Sequence, residues 1–316
     1  VKSSRGFLLL SILLLAALAC NLPIGLTPTA GAPEGGISPA ATSMPFEEST
    51  SAPLPTVAPL TAGMLRNGTY ILPQSKAVVT LVDGKFDRAD SMDNILHVVL
   101  MDPIAFGDLN GDGVDDAAFV LSENMGGTGF FMSVVAVLNE GGSPKQAASR
   151  YLDDRAQLNS LTIGRGRIAV DAVIHGPADP MCCPNFPVVE TLLLAGDRLI
   201  LTRFTSRTPG GEERSITITG PADGDSVSGS FQLAGSVTIS PFENTLAYEI
   251  VGPSGEELSA GPFLVLSEDM GTPGTFNVTI DLAGIPLGTD VRLEVSDVSA
   301  ADGSLLAMDS VELMVK

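Results

Sequence analysis

The chain has 316 residues, with 34 Gly, 22 Pro, 5% aromatics and no Trp. This balance favours short strands and many turns over helix bundles, and the length allows about two ordinary domains. Seventeen basic against 37 acidic residues give a net charge of −20; such a chain cannot neutralise phosphates over a wide surface, which excludes nucleic acid as an expected partner.

The chain opens with a basic flank, Lys2 to Arg5, followed by an apolar run from Phe7 to Leu18 and then Ala19-Cys20. A transmembrane helix needs about 20 apolar residues. This shorter run with small residues at its end reads as a secretory signal peptide. The string Leu15-Ala16-Ala17-Leu18-Ala19-Cys20 resembles a bacterial lipobox, with Ala17 where the commonest form has Leu. The resemblance implies removal of residues 1–19 and lipidation of Cys20; the other reading is an ordinary signal with an incidental Cys. Bacterial lipoproteins of this kind carry several acyl chains, and stable anchoring takes more than one. The implied partner is therefore a membrane reached through N-terminal lipid, at the bacterial membrane or cell surface. An acidic remainder stays soluble and off anionic lipid.

Residues 20–62 are expected to carry the lipid and then a disordered tether. From 21 onward they are rich in Pro, Thr, Ser, Ala and Gly and show no hydrophobic period, so they cannot bury enough apolar area to offset ordering entropy. The tether would reach roughly 35 Å as a random coil and over ~100 Å as extended polyproline II.

Residues 63–206 are predicted to form a β-rich exported domain. Asn67-Gly68 is a turn leading into a strand, and Ala77 to Val82 is a β-branched run ended by Asp83-Gly84. Ile95 to Leu100 is a strand. Ala117 to Leu121 and Phe130 to Leu138 flank Gly126-Gly127-Thr128-Gly129, a hairpin signal. Leu161 to Ile163 and Arg167 to Ile174 flank Gly164-Arg165-Gly166, and Val188 to Leu194 pairs with Arg198 to Thr202 across Ala195-Gly196-Asp197. Only Leu152 to Ser160 has a helical look. Thr205 to Gly211 reads as a polar linker.

Residues 212–316 show short strands with turn signals about every 8 to 12 residues, the pattern of a β-sandwich. Pro221 and Gly224, Phe242-Glu243 before a strand, and Ser299-Ala300-Ala301-Asp302-Gly303-Ser304 near the end stand in a fixed order. On these residues the segment resembles the immunoglobulin-like domain of bacterial sporulation and spore-germination proteins. The resemblance implies an immunoglobulin-like β-sandwich with no catalytic role of its own, and it does not imply sporulation. The fold class expected of the whole is mainly β: a signal peptide, a disordered linker, a β-rich domain and this sandwich.

Two motifs could carry chemistry. Asp108, Asn110, Asp112 and Asp116 place side-chain oxygens at loop positions 1, 3, 5 and 9, with Gly113 at position 6 and the Val114 carbonyl at 7. Calcium takes six to eight such oxygens, so Ca2+ is the expected cofactor. An EF-hand would place Glu where Phe119 stands, and the loop is closer to those of integrin and FG-GAP repeats. The competing reading is an Asp/Asn/Gly turn capped by its own side chains. The second motif is His175-Gly176-Pro177-Ala178-Asp179-Pro180-Met181-Cys182-Cys183-Pro184. If Cys20 is lipidated, Cys182 and Cys183 are the remaining cysteines, and an oxidising compartment favours their pairing. Two reduced thiols, or a metal or redox site, are the alternatives; adjacency is poor zinc geometry and lacks the spacer of a thioredoxin-like pair. Together with the Asp108 loop and the Gly126 hairpin, this motif resembles an uncharacterised exported domain of bacterial lipoproteins, which assigns no activity.

Of the two histidines, His97 lies in an apolar run and reads as a core or strand residue, and no Gly-x-Ser-x-Gly elbow, His-Glu-x-x-His or P-loop is present. The expected function is a non-catalytic envelope binding or adhesion module, calcium-stabilised, with an envelope protein or polysaccharide as partner. The alternatives are an envelope-polymer hydrolase with a site near His175 and a redox-responsive module using Cys182 and Cys183.

Overall fold

A computed structural model describes residues 57–91 and 94–316. The signal segment, Cys20 and most of the expected tether lie outside the described residues. The described chain begins with α1 (Ala62–Arg66), whose N-cap Thr61 accepts from the Met64 amide at 3.2 Å. A hairpin of β1 (Thr69–Ile71) and β2 (Val78–Thr80) follows.

Next comes an antiparallel meander: β3 (Lys85–Ala89), β4 (Ile95–Gly107), β5 (Asp116–Asn124), β6 (Phe131–Glu140) and β7 (Ser143–Asp154). A second meander holds β8 (Gln157–Gly164), β9 (Arg167–Ile174), β10 (Phe186–Ala195) and β11 (Arg198–Arg207). The two sheets pack face to face through Val120, Val134 and Ala136 on one side and Ile168, Val170 and Leu192 on the other. Leu65, Tyr70 and Leu72 cover the opposite face of the first sheet against Phe119 and Val135. Strand β5 is thus buried at all nine positions. A strand covered on both faces needs a continuous apolar run rather than an alternating one, which is what Ala117 to Leu121 supplies.

The C-terminal part contains β12 (Glu213–Arg214), β13 (Ile216–Gly220), β14 (Ser226–Val227), β15 (Ser230–Val237), β16 (Thr245–Val251), β17 (Glu257–Leu264), β18 (Leu266–Ser267), β19 (Gly274–Asp281), β20 (Asp290–Val298) and β21 (Leu305–Val315). One sheet runs β13-β15-β19-β18. The other runs β17-β16-β20-β21, with β14 parallel to the end of β21. Inward residues of both, among them Leu233, Phe276, Leu246 and Leu293, form one core. Two antiparallel sheets in this strand order make an immunoglobulin-like sandwich.

The segment read as a linker is structured. Strand β11 continues through Arg207, and Thr208 to Glu212 forms a turn closed by the Thr208 amide donating to the Glu212 carbonyl at 2.9 Å. Thr205 and Ser206 are polar yet buried, because β11 hydrogen-bonds to β21 and joins the two parts into one ten-stranded sheet. Ser206 Oγ donates to the Leu306 carbonyl at 2.6 Å, and Ser310 Oγ to the Thr202 carbonyl at 2.8 Å. Arg203 and Asp309 pair at 3.4 Å, and Val188, Phe204 and Met308 form a small apolar cluster beside them.

Two further expectations are corrected. The tether does not extend to residue 62: Leu60 is buried in the first core, and the Ala58 carbonyl accepts from Asn139 Nδ2 at 2.9 Å. A Pro- and Thr-rich composition hid one apolar anchor. Leu152 to Ser160 is not helical but ends β7 and begins β8 around a two-residue turn in which Arg155 has φ +55°.

Candidate functional site

The Asp108 loop joins β4 to β5. Asp108 Oδ1 accepts from the amides of Gly111 (2.6 Å) and Asn110 (3.2 Å), and Oδ2 from Gly113 (2.9 Å). These bonds, that of Gly113 foremost, hold its carboxyl below the usual range. Asn110 Oδ1 accepts from the Asp112 amide at 3.0 Å, and Asp112 Oδ1 from the Val114 amide at 2.8 Å. Gly113 has φ +81°, as its place in the tight turn requires. Asp116 points the other way. It is fully buried, with Oδ2 accepting from Leu109 (2.9 Å) and Oδ1 from the Asn139 amide (2.8 Å). Burial raises its pKa, and the charges of Asp112 and Asp108 add to that.

As a calcium set, Asp108, Asn110, Asp112, Val114 and Asp116 do not fit. Asp116 is turned into the sheet with both oxygens engaged. Among the described residues no three His, Cys, Asp or Glu side chains converge on an ion position. The loop closes on its own side chains and on Asn139.

The His175–Pro184 segment joins β9 to β10. Asp179 Oδ2 staples its two ends by accepting from the amides of Gly176 and Asn185, each at 2.8 Å, and these bonds lower its pKa. Cys182 and Cys183 are exposed at its tip as a vicinal pair with their sulfurs in contact. Arg155 donates to the Met181 carbonyl and to the Thr128 carbonyl. The cysteine loop and the Gly126–Gly129 hairpin, far apart in sequence, therefore meet at one guanidinium.

His175 Nδ1 lies 2.8 Å from Asp153 Oδ2, which also accepts from the His175 amide at 2.5 Å. Desolvation works against charge on this ring, but the bond to Asp153 and its charge outweigh it and raise the pKa. Nε2 is buried and makes no well-aligned hydrogen bond, and the Met181 carbonyl beside the ring adds to the rise. His97 is a strand residue but not a core one: it is exposed on β4 and pairs with Asp87 at 2.6 Å.

Beside His175 lies a cavity of about 350 Å³, lined by Arg150 of β7, Glu190 of β10, Phe186, Phe204 and, from the immunoglobulin-like part, Leu305. Glu190 is buried, and burial pushes its pKa up while Arg150 pulls the other way. The ion pair is loose: Arg150 Nε stands 3.5 Å from Glu190 Oε2, and neither atom has a hydrogen bond. Sequence reasoning missed Arg150, Asp153 and Glu190. Glu190 left one signal, a charged residue at an inward position of the apolar run Val188 to Leu194.

Residues 215–304 match the family model described as the immunoglobulin-like domain of bacterial spore germination. This agrees with the expectation drawn from Pro221, Phe242-Glu243 and Ser299 to Ser304, and it is consistent with a non-catalytic module. No curated protein matches the chain. Among the described residues no helix is long and apolar enough to cross a membrane.

Proposed function

We propose that the protein is an extracytoplasmic binding module, anchored by lipid on Cys20, whose two β parts act as one body without a catalytic step. The observation that carries the non-catalytic reading is the chemistry around His175. The hydroxyl-bearing residue lining the cavity is Ser304, whose Oγ is bonded to Asp302 at 2.7 Å in an exposed turn. Cys182 and Cys183 lie with their sulfurs against each other, away from the ring. A nucleophile needs a base within hydrogen-bond reach, and His175 Nε2 makes no well-aligned hydrogen bond. The immunoglobulin-like match supports an exported address; the partner of this reading is an envelope protein or polysaccharide. Calcium is left out of this proposal because its oxygen set does not fit.

The hydrolase reading stays second, favoured by the Asp153–His175 pair at the edge of a cavity. Cell fractionation tests the anchor: the intact protein should sediment with membranes and need detergent for release, while Cys20→Ala should be soluble. The same preparations, incubated with purified envelope polymer, should release no soluble fragments. Release that disappears in His175→Ala would establish the hydrolase instead.

A further inference from the structure

We propose that two copies of this chain pair edge to edge through β19, antiparallel and centred on Thr279, as a closed dimer. The proposal goes beyond the binding reading and does not rest on it. An unpaired strand edge is a template for another chain, and folded proteins interrupt such edges with Pro, bulges, charge or cover. Three sheet ends of this molecule are interrupted in that way. Strand β17 carries Pro262, and β8 has a bulge between Leu158 and Ser160. Strand β13 has a bulge between Ile218 and Gly220, and Asp309 Oδ2 accepts from the Ile218 amide at 2.9 Å.

Strand β19 is different. Its neighbour β18 pairs only Leu266 with Thr275 and Ser267 with Gly274. From Phe276 to Asp281 that side of β19 has no strand partner among the described residues, and the stretch holds no Pro, no Lys and no bulge. The Leu282 amide donates to the Gly229 carbonyl at 2.8 Å. Hydrogen-bonding direction alternates along a strand, so Val278 and Ile280 face β15, and Asn277, Thr279 and Asp281 turn amide and carbonyl to the open edge. The side chains of those three are exposed, while Phe276 and Ile280 lie in the core.

The side chains select a second copy as the occupant. With Thr279 at the centre, Thr279 faces the partner's Thr279, and Asn277 faces the partner's Asp281. Each facing pair exchanges two backbone hydrogen bonds. Asp281 Oδ1 accepts from the Ala283 amide at 2.9 Å, which leaves Oδ2 for the amide of Asn277 across the junction. Thr–Thr contacts and hydrogen-bonded polar pairs are favourable between strands, and like charges directly opposite are not. Centring on Asp281 would set two carboxylates together. Centring on Asn277 would drive the incoming strand into Leu266, which already holds Thr275. The contact uses the same edge on both copies, so it closes at two. Each copy carries −20; their repulsion opposes pairing, and salt that screens it strengthens the dimer.

Sedimentation velocity of the full chain carrying Cys20→Ala, from micromolar to millimolar protein, tests this without the anchor. The sedimentation coefficient should rise with concentration from monomer to dimer and no further, and the dimer should tighten with added sodium chloride. Thr279→Pro removes an amide on the open side and leaves pairing to β15 intact; it should stay monomeric throughout. Asn277→Asp places like charges opposite each other twice per dimer and should weaken it about tenfold. Asn277→Lys should tighten it by pairing with Asp281, while Gln232→Lys, on β15 one strand in from the edge, should not match that gain. If Thr279→Pro fails to fold by circular dichroism, the two Asn277 variants carry the test. A monomer at every concentration, a dimer that survives Thr279→Pro, or equal effects of Lys at 277 and 232 overturns the proposal.

Discussion

The Asp108 loop and the His175 cavity make opposite uses of polar side chains. In the loop, Asp108, Asn110, Asp112 and Asp116 all accept amide hydrogen bonds from the chain around them. In the cavity, Arg150 and Glu190 come from separate strands and meet only in a loose ion pair, while Asp153 holds His175. The conspicuous motif is thus closed, and the inconspicuous set is open. A dense run of oxygens in sequence is also what a tight turn needs to satisfy itself. A site with unmet bonding capacity is assembled from distant strands, which gives it no spacing to recognise.

The sharpest way to break this contrast is at Asp116. Asp116→Ala leaves the buried amides of Leu109 and Asn139 without acceptors and should lower stability by about 2–4 kcal/mol in urea titration. Asp112→Ala, exposed at the loop tip, should stay within about 0.5 kcal/mol. Millimolar calcium should leave the midpoint of the unaltered protein in place. A stabilisation by calcium that vanishes in Asp112→Ala would reopen the loop as an ion site.

A second test uses pH. The folded pKa of Glu190 is raised from 4.5, chiefly by burial. Above 4.5 the folded chain then holds a proton that the unfolded chain has lost. Its contribution to stability is full below 4.5 and falls as pH rises through the raised value. In Glu190→Gln the urea midpoint should fall less between pH 5 and 7 than in the unaltered protein. His175 is also raised, from 6.5, so its own contribution fades only above that pH and remains in the variant. Identical pH slopes would mean that Glu190 is not held neutral.

The smallest expected effect is that of reduction. Cys182 and Cys183 are adjacent, and a ring that small removes little freedom from the unfolded chain, about 1 kcal/mol or less. Dithiothreitol should barely move the urea midpoint. A large shift on reduction would overturn this and favour the redox reading.

Much of the fold is legible in sequence because most strands carry local signals. The hairpins at Gly126–Gly129, Gly164–Gly166 and Ala195–Asp197 follow from turn residues between apolar runs. Strand β7 escaped notice because it lies at the sheet edge, where Lys145, Gln146 and Arg150 flank a run of small residues, Ala147 to Ser149. The joining of β11 to β21 could not be read at all, since Arg203 and Asp309 are 106 residues apart (309 − 203) and nothing local marks the pairing. The cavity fell with it: Leu305 reaches Phe204 only through that junction.

The junction also decides how this protein can meet copies of itself. Strand β21 would otherwise expose a long unpaired edge, an invitation to strand addition. Here β14 takes its last residues and β11 takes Met308 and Asp309. The open ends of the ten-stranded sheet move outward to β17 and β8. Strand β17 carries Pro262, which has no amide to donate, and β8 has a bulge between Leu158 and Ser160. The ten-stranded sheet thereby offers a neighbouring copy two interrupted edges in place of one continuous template for polymerisation.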